Sequence, residues 1–193
     1  VGANYRGFKV AASEDNRTML IGLTEMDVGL GIRANFQFSR MPYNPFVRVS
    51  GSWGTVRGSA TTETVLTRRH EGWVAKAGVM QTVTEMDPGL VTRINPIVSA
   101  WTEVGHEWSN LKVYAGLLPK VISGSADLSL PTAVDSSGNV QYTTTKAQLA
   151  SPSVYYGRVV YEGDLTKHLK YRLTGMTNTQ NQTSVFGDIR WSF

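Results

Sequence analysis

The residue types that most often catalyse reactions or bind metals occur in this chain without the spacing that such chemistry needs. The three histidines, His70, His106 and His168, lie far apart in turns or at a strand end, which does not match a metal site. None of the serines sits in a Gly-x-Ser-x-Gly elbow. Cysteine is absent, which excludes disulfides and thiolate metal sites. We therefore expect no catalytic residue, no metal site and no enzyme activity.

A possible cofactor motif fails on its context. The stretch Gly29-Leu-Gly31-Ile-Arg-Ala34 matches the loose Gly-x-Gly-x-x-Ala pattern of dinucleotide-binding sites. Such a site needs a helix directly after the glycines, so that the helix N-terminus can hold a pyrophosphate. Here Asn35–Phe38 continues as a strand, and glycines in a strand relieve crowding or mark a bulge. We expect no bound cofactor.

The charged residues are informative because they alternate with apolar ones. Leu111 and Val113 fall on one face of a strand and Lys112 on the other, since successive strand side chains point in opposite directions. This alternation predicts a polar inner face, or lumen, although the same pattern also fits the solvated face of an ordinary antiparallel sheet. The predicted lumen-facing charges are Arg48, Lys76, Glu103, Lys112, Arg158, Glu162, Lys170, Arg172, Asp188 and Arg190.

Period-2 segments run almost from end to end, and turn residues such as Glu71-Gly72 and Gly163-Asp164 separate many of them. The pattern predicts an all-β fold, specifically an antiparallel up-and-down transmembrane β-barrel of about twelve strands that occupies residues 1–193 as one domain. Pro119–Asn139 is expected to be an extended extracellular loop. The predicted strands are Asn4–Ala12, Arg17–Thr24, Gly29–Phe38, Phe46–Trp53, Ala60–Arg69, Trp73–Thr82, Ile97–Glu107, Leu111–Leu118, Val140–Gln148, Val154–Glu162, Leu169–Met176 and Ser184–Phe193.

The last strand carries the strongest single signal. One of its faces is apolar and ends on two aromatic residues, whereas the other carries opposite charges. A lipid-facing barrel strand has this pattern, and an edge strand of a soluble β-sandwich is the alternative. The strand is similar to the C-terminal signal that the barrel-assembly machinery of bacterial outer membranes reads. The predicted signal residues are Val185, Gly187, Ile189, Trp191 and Phe193.

Composition favours the same class of protein. Charged residues make up 18% of the chain, less than the roughly one quarter typical of soluble domains. No apolar run approaches the roughly 18 residues of a spanning helix, which excludes a helical membrane protein. The net charge of +4 comes from scattered rather than clustered basic residues, so we expect no nucleic-acid partner. The predicted location is the bacterial outer membrane, with its lipid as the main partner.

A resemblance to a known family narrows the function. The stretch Gly116–Asp135, with its Ser-Gly-Ser and Leu-Pro-Thr-x-Val-Asp elements, and the following Ser136–Tyr142 resemble the C-terminal region of secreted subtilisin-family serine peptidases of gammaproteobacteria. Gly78–Thr84 and Trp101–Gly105 are similar to the same region. That region resembles the β-barrel translocator of autotransporters. The resemblance implies a barrel that carries an N-terminal passenger and implies no peptidase activity, because the catalytic motifs have no counterpart here.

Three functions follow as hypotheses. The first is an autotransporter-like translocator or surface anchor for an N-terminal passenger such as a peptidase. The second is a small porin-like or structural outer-membrane barrel without a passenger. The third is a soluble β-rich binding module appended to a peptidase. The sequence does not determine the passenger, the pore size or the oligomeric state.

The C-terminal aromatic residue gives a first testable prediction. Deletion of Phe193 removes one exposed aromatic side chain, worth about 2–3 kcal/mol of apolar burial. If the assembly machinery reads this residue, outer-membrane insertion in cells should fall far more than the stability of barrels refolded in detergent. The two quantities should be compared for the deletion and for Phe193→Ala. Equal and small effects on both would contradict the role as an assembly signal.

Overall fold

The chain folds as an all-β protein, as predicted. The computed structural model describes residues 2–5, 8–12 and 18–191. No helix in these residues is long and apolar enough to span a membrane. The strands are β1 (Gly2–Tyr5), β2 (Phe8–Ala12), β3 (Met19–Asp27), β4 (Ile32–Met41), β5 (Gly54–His70), β6 (Trp73–Pro88), β7 (Val91–Ile94), β8 (Ile97–Glu107), β9 (Leu111–Ser123), β10 (Ser125–Val134), β11 (Val140–Gln148), β12 (Tyr155–Thr166), β13 (Leu169–Asn178) and β14 (Thr183–Trp191), with a 3-10 turn at Gly51–Trp53.

The strands form two antiparallel sheets rather than one. The large sheet has eleven strands in the order β1-β2-β3-β4-β5-β6-β8-β9-β12-β13-β14, and the small sheet has three in the order β11-β10-β7. Apart from two insertions, β7 and the β10–β11 hairpin, the large sheet is a meander of neighbouring strands. Its edges are β1 and β14, so the sheet is not closed within the described residues. The antiparallel all-β prediction is confirmed, and the strands divide into a sheet of eleven and a sheet of three. The closure that a barrel requires stays a prediction.

Two sequence predictions for the connecting segments are wrong. The predicted strand Phe46–Trp53 is an irregular connection, because Asn44 Oδ1 accepts the backbone N–H groups of Phe46 and Val47 and so turns the chain. The predicted loop Pro119–Asn139 is mostly strand. Pro131 lies beside a bulge in β10, a position at which strands tolerate proline.

The two ends of the large sheet differ in their connections. At one end, which we call the short-turn end, residues 28–31, 71–72, 108–110 and 167–168 join consecutive strands. The opposite end, the long-connection end, carries residues 42–53 and both inserted segments of the small sheet. Strand β14 runs toward the short-turn end, since Trp191 pairs with Leu169.

The register divides the large sheet into an apolar face and a polar face. On β12, Val159 pairs with Val113 of β9 and Gly175 of β13, so all three share the apolar face. The next residue, Val160, pairs with Lys112 and Thr174 on the polar face. The apolar face exposes large side chains on nearly every strand, including Leu23, Phe36, Phe38, Leu66, Trp73, Val79, Val83, Val104, Val113, Tyr155, Val159, Tyr161, Leu173, Val185, Ile189 and Trp191.

Burial shows that the sheet curls toward its polar face. Val74, Thr82 and Tyr114 are buried although they belong to that face, whereas most of the large apolar-face side chains are exposed. The chain exposes 12,820 Å² in total. A compact soluble monomer of this mass exposes roughly 9,000 Å², so this chain exposes an unusually large surface, and the apolar face is part of it.

A small folded unit, which we call the cap, covers the polar face at the long-connection end. The cap comprises residues 42–53 and the sheet of β7, β10 and β11. Asn44 Nδ2 donates to Thr84 Oγ1 at 2.6 Å, and Ser59 Oγ donates to the Tyr43 carbonyl oxygen at 2.6 Å, which fixes the segment onto polar-face residues. The apolar core beneath it consists of Val91, Ile94, Ile97, Val121 and Ala126, with Phe46, Val47, Val49, Val56, Met86, Leu128 and Leu149 packed around it.

The turn at the tip of the cap hairpin is held by one carboxylate. Asp135 Oδ1 accepts the backbone N–H groups of Ser137 and Asn139, both at 2.8 Å. The hydrogen bonds from Asn139, first from its backbone and then from its side chain, hold the pKa of Asp135 below its usual value. The stabilisation is therefore present above the unfolded-state pKa and is lost as the pH falls through the lower folded-state pKa.

Ile97 should be the main determinant of cap stability. Its side chain is fully buried, and it belongs to both β8 and the cap core. Replacement of such a side chain by alanine costs about 2–5 kcal/mol through lost burial and the cavity left behind. Urea titration of Ile97→Ala should show this loss, whereas Ile122→Ala, at an exposed position, should change the free energy of unfolding by less than about 1 kcal/mol. Equal losses would contradict the described core.

Candidate functional site

The centre of the polar face is a buried carboxylate, Glu103 of β8. Its side chain is 5% exposed. Lys76 Nζ of β6 donates to Oε1 at 2.8 Å, and Arg158 Nη2 of β12 donates to Oε2 at 2.6 Å. Tyr156 of the same strand donates its hydroxyl to Oε2 at 2.7 Å. Three donors, one from the neighbouring strand β6 and two from β12 on the far side of β9, therefore compensate the desolvation of one negative charge.

An aromatic ring connects this site with a second carboxylate. The Tyr114 ring lies 4.5 Å from Arg158 Cζ and 5.3 Å from Lys76 Nζ, within the range of cation–π interactions. Its hydroxyl donates to Glu107 Oε1 at 2.6 Å, and Arg69 Nη1 donates to Glu107 Oε2 at 2.6 Å. We call the seven residues Arg69, Lys76, Glu103, Glu107, Tyr114, Tyr156 and Arg158 the central network.

Two glycines make the close packing of this region possible. A Cβ at Gly116 of β9 would lie 3.0 Å from Tyr156 Cε1, so the absence of a side chain lets Tyr156 cross β9 to reach Glu103. A Cβ at Gly78 would overlap the Trp101 indole, whose Nε1 donates to Glu63 Oε1 at 2.7 Å across β6. Both contacts join strands that are second neighbours in the large sheet, and such contacts require the sheet to curl toward its polar face.

A second group of charges lies nearer the short-turn end. Glu162 Oε2 accepts Lys112 Nζ at 2.6 Å, and its Oε1 accepts Arg172 Nε at 2.8 Å. Arg190 Nε donates to Asp188 Oδ1 at 3.1 Å, and Lys170 Nζ lies 3.5 Å from Asp164 Oδ1. All of these residues except Lys112 line a cavity of about 230 Å³. We call this group the peripheral cluster: Lys112, Glu162, Asp164, Lys170, Arg172, Asp188 and Arg190.

A layer of hydroxyl groups separates the central network from the cap. Ser59, Thr61, Thr82 and Ser99 are buried on the polar face between them. Thr61 Oγ1 and Thr82 Oγ1 are 2.9 Å apart and share a hydrogen bond. Ser99 Oγ is buried without a partner within the described residues. The side chains of the polar face therefore change along its length. They are apolar beneath the cap, neutral and polar in the hydroxyl layer, and charged toward the short-turn end.

The structure brings together nine of the ten predicted charges. Lys76, Glu103 and Arg158 join the central network, and the other six join the peripheral cluster. The tenth, Arg48, lies exposed in the connection between β4 and β5, so its predicted strand position is wrong. Val185, Gly187, Ile189 and Trp191 of the predicted signal share the apolar face of β14, and Phe193 lies outside the described residues.

Several members of the site were not predicted as site residues. The period of two places Tyr114 and Tyr156 on the polar face, but it does not show that they donate to Glu107 and Glu103. Asp164 shares the parity of Arg158 and Glu162 on β12, whereas Glu63 and Arg69 share the face of Lys76 only through the register between β5 and β6. Parity along each strand was therefore the available signal, and the register between strands was missing.

The site consists of matched charges rather than a reactive constellation. No group of three His, Asp or Glu side chains within the described ranges is arranged to hold a metal ion. No known protein family, curated protein or solved structure matches the chain. The chemical capacity of the site is electrostatic: a polar, ion-paired surface enclosed by a curved sheet.

Glu103 of the central network and Glu162 of the peripheral cluster should contribute differently to the free energy of unfolding. Glu103→Gln leaves Lys76 and Arg158 close together without a counter-charge, and breaking a buried pair in this way costs about 3–5 kcal/mol. Glu162→Gln should cost about 1 kcal/mol, because that side chain is 31% exposed and solvent screens it. Denaturant titrations of both variants test this order. Adding Lys76→Met to Glu103→Gln should recover part of the loss, and equal losses in the two single variants would contradict the order.

Proposed function

We propose that this chain is an outer-membrane β-barrel domain of the autotransporter type, which anchors or translocates an N-terminal passenger. The observation that carries the proposal is the division of the large sheet into an exposed apolar face and a curled, ion-paired polar face. A lipid-embedded barrel needs apolar side chains outward and tolerates charge only toward its interior. In this proposal the edges of the sheet pair to complete the barrel.

The height of the apolar face supports a membrane location. On β6 the outward residues from Trp73 to Val83 are uncharged, and the first outward charges beyond them are Glu85 and Asp87. Ten residue steps at about 3.3 Å cover about 33 Å, or about 25 Å in height for a strand tilted by about 40°. The outward apolar band of outer-membrane barrels is also about 25 Å tall.

The arrangement of the connections supports the orientation. Outer-membrane barrels have short periplasmic turns and longer extracellular loops. In this proposal the short-turn end faces the periplasm and the cap lies outside the cell. The cap contains Gly124–Tyr142, most of the stretch that resembles the C-terminal region of secreted subtilisin-family peptidases. That resemblance supports a passenger. The ion pairs that occupy the polar face argue against an open pore.

The experiment that tests the function uses an epitope tag upstream of Val1 and a signal peptide before the tag. We expect the chain in the outer-membrane fraction, with heat-modifiable gel mobility, and the tag cleaved by protease added to intact cells. A tag protected inside the periplasm, on a barrel that is nevertheless inserted, would contradict translocation and favour a structural barrel. A chain that folds without detergent would contradict the membrane location and favour a soluble binding module.

A matched pair of substitutions tests which face meets lipid. Leu173 on the apolar face and Phe186 on the polar face are 52% and 56% exposed and lie on neighbouring strands. Leu173→Arg should destabilise the inserted protein by about 2–4 kcal/mol, because a mid-membrane cation on the lipid side is costly. Phe186→Arg should cost less than about 1 kcal/mol. Urea titrations in lipid vesicles measure both, and equal costs would contradict the assignment of the faces.

A further inference from the structure

Among the basic residues on the apolar face, Arg68 has no partner within the described residues. Arg68 of β5 pairs in register with Ala75 and Ile32, which places it on that face. Its side chain is exposed and makes no ion pair or hydrogen bond within residues 18–191. By contrast, the outward Arg40 at the opposite rim donates to both oxygens of Glu85, at 2.9 Å and 3.2 Å.

Arg68 lies beside a group of aromatic rings at the short-turn end. The next pair on the same face is His70 and Trp73, and Trp73 pairs in turn with His106. The His106 ring lies between Trp73, at a centroid distance of 5.0 Å, and Trp108, at 4.3 Å. Both tryptophans are exposed. Exposed tryptophans on an apolar surface mark the level of lipid headgroups, because the ring is apolar and its N–H is polar.

The chemistry around Arg68 fits an anion with an apolar tail. A guanidinium group binds phosphate through several N–H donors in one plane. The side chains next to it, Leu66, Ile32 and Ala75, offer only apolar contact. The acid in the adjacent turn, Glu71, faces His70 at 3.7 Å. A phospholipid places its phosphate at the headgroup level and its acyl chains along the apolar face, which satisfies both requirements.

We propose that Arg68, bordered by Trp73 and His106, forms a binding site for the phosphate of an anionic phospholipid. This inference rests on the membrane location proposed above. Arg68 faces outward, and its register partners on both neighbouring strands, Ile32 and Ala75, are apolar. Within the described residues it has no protein counter-charge. The lipid phosphate supplies that counter-charge, and the tryptophans fix the depth at which it lies.

The test uses delipidated protein whose folded state in a neutral detergent has been established by heat-modifiable mobility. Native mass spectrometry measures its affinity for phosphatidylglycerol, for phosphatidylcholine and for inorganic phosphate. We expect phosphatidylglycerol to bind about tenfold more tightly than phosphatidylcholine, because both carry the phosphate but the choline cation repels the Arg68 guanidinium and offsets the phosphate charge. Arg68→Gln should abolish this preference, whereas the matched control Arg40→Gln at the other rim should retain it.

Each other outcome overturns the inference in a different way. An unchanged lipid preference in Arg68→Gln means that the anion binds elsewhere. Equal competition by inorganic phosphate means that the site binds a free anion and not a lipid. The absence of any preference in the wild-type protein, with its heat-modifiable mobility intact, contradicts the lipid site and leaves the proposed membrane function standing.

Discussion

A buried negative charge that must be neutralised organises the interior of this protein. Glu103 lies on β8, and its donors come from β6 on one side and from β12, beyond β9, on the other. A carboxylate in this position is tolerated only if all of these donors are in place. The register of four strands and the curvature of the sheet are therefore coupled to one side chain. Gly116 is required because a Cβ there would clash with the Thr102 carbonyl oxygen and crowd the Tyr156 ring.

The sequence predicts those parts of the structure that depend on local periodicity. Strands such as Ile97–Glu107 and Val140–Gln148 follow from alternation alone, and so does the shared face of Lys112 and Arg158. Alternation does not show which strands are adjacent, so the contact of Arg158 with Glu103, a strand further away, could not be predicted. Arg48 was misplaced because an asparagine four residues earlier turns the chain out of the sheet.

The cap is a second case in which local periodicity does not predict contacts between residues that are distant in the sequence. Prolines and glycines between Pro119 and Asn139 are typical of a loop, yet this segment forms strands. Its regular structure depends on β7, which lies some thirty residues earlier in the sequence, and on a core shared with the large sheet. The buried layers of the polar face continue into the cap core. Any molecule that moves along this face toward the long-connection end must therefore displace part of that core.

The two edges of the large sheet, which have no neighbouring strand among the described residues, limit how the protein can insert into a bilayer. Strands β1 and β14 each present a row of backbone N–H and C=O groups without sheet partners among the described residues. Water can satisfy such groups, but hydrocarbon cannot, and each one left unpaired there costs several kcal/mol. In a bilayer the two rows must therefore be satisfied as the strands cross. Folding and insertion would then be a single event, and a partly inserted sheet would be less stable than either the free chain or the finished structure.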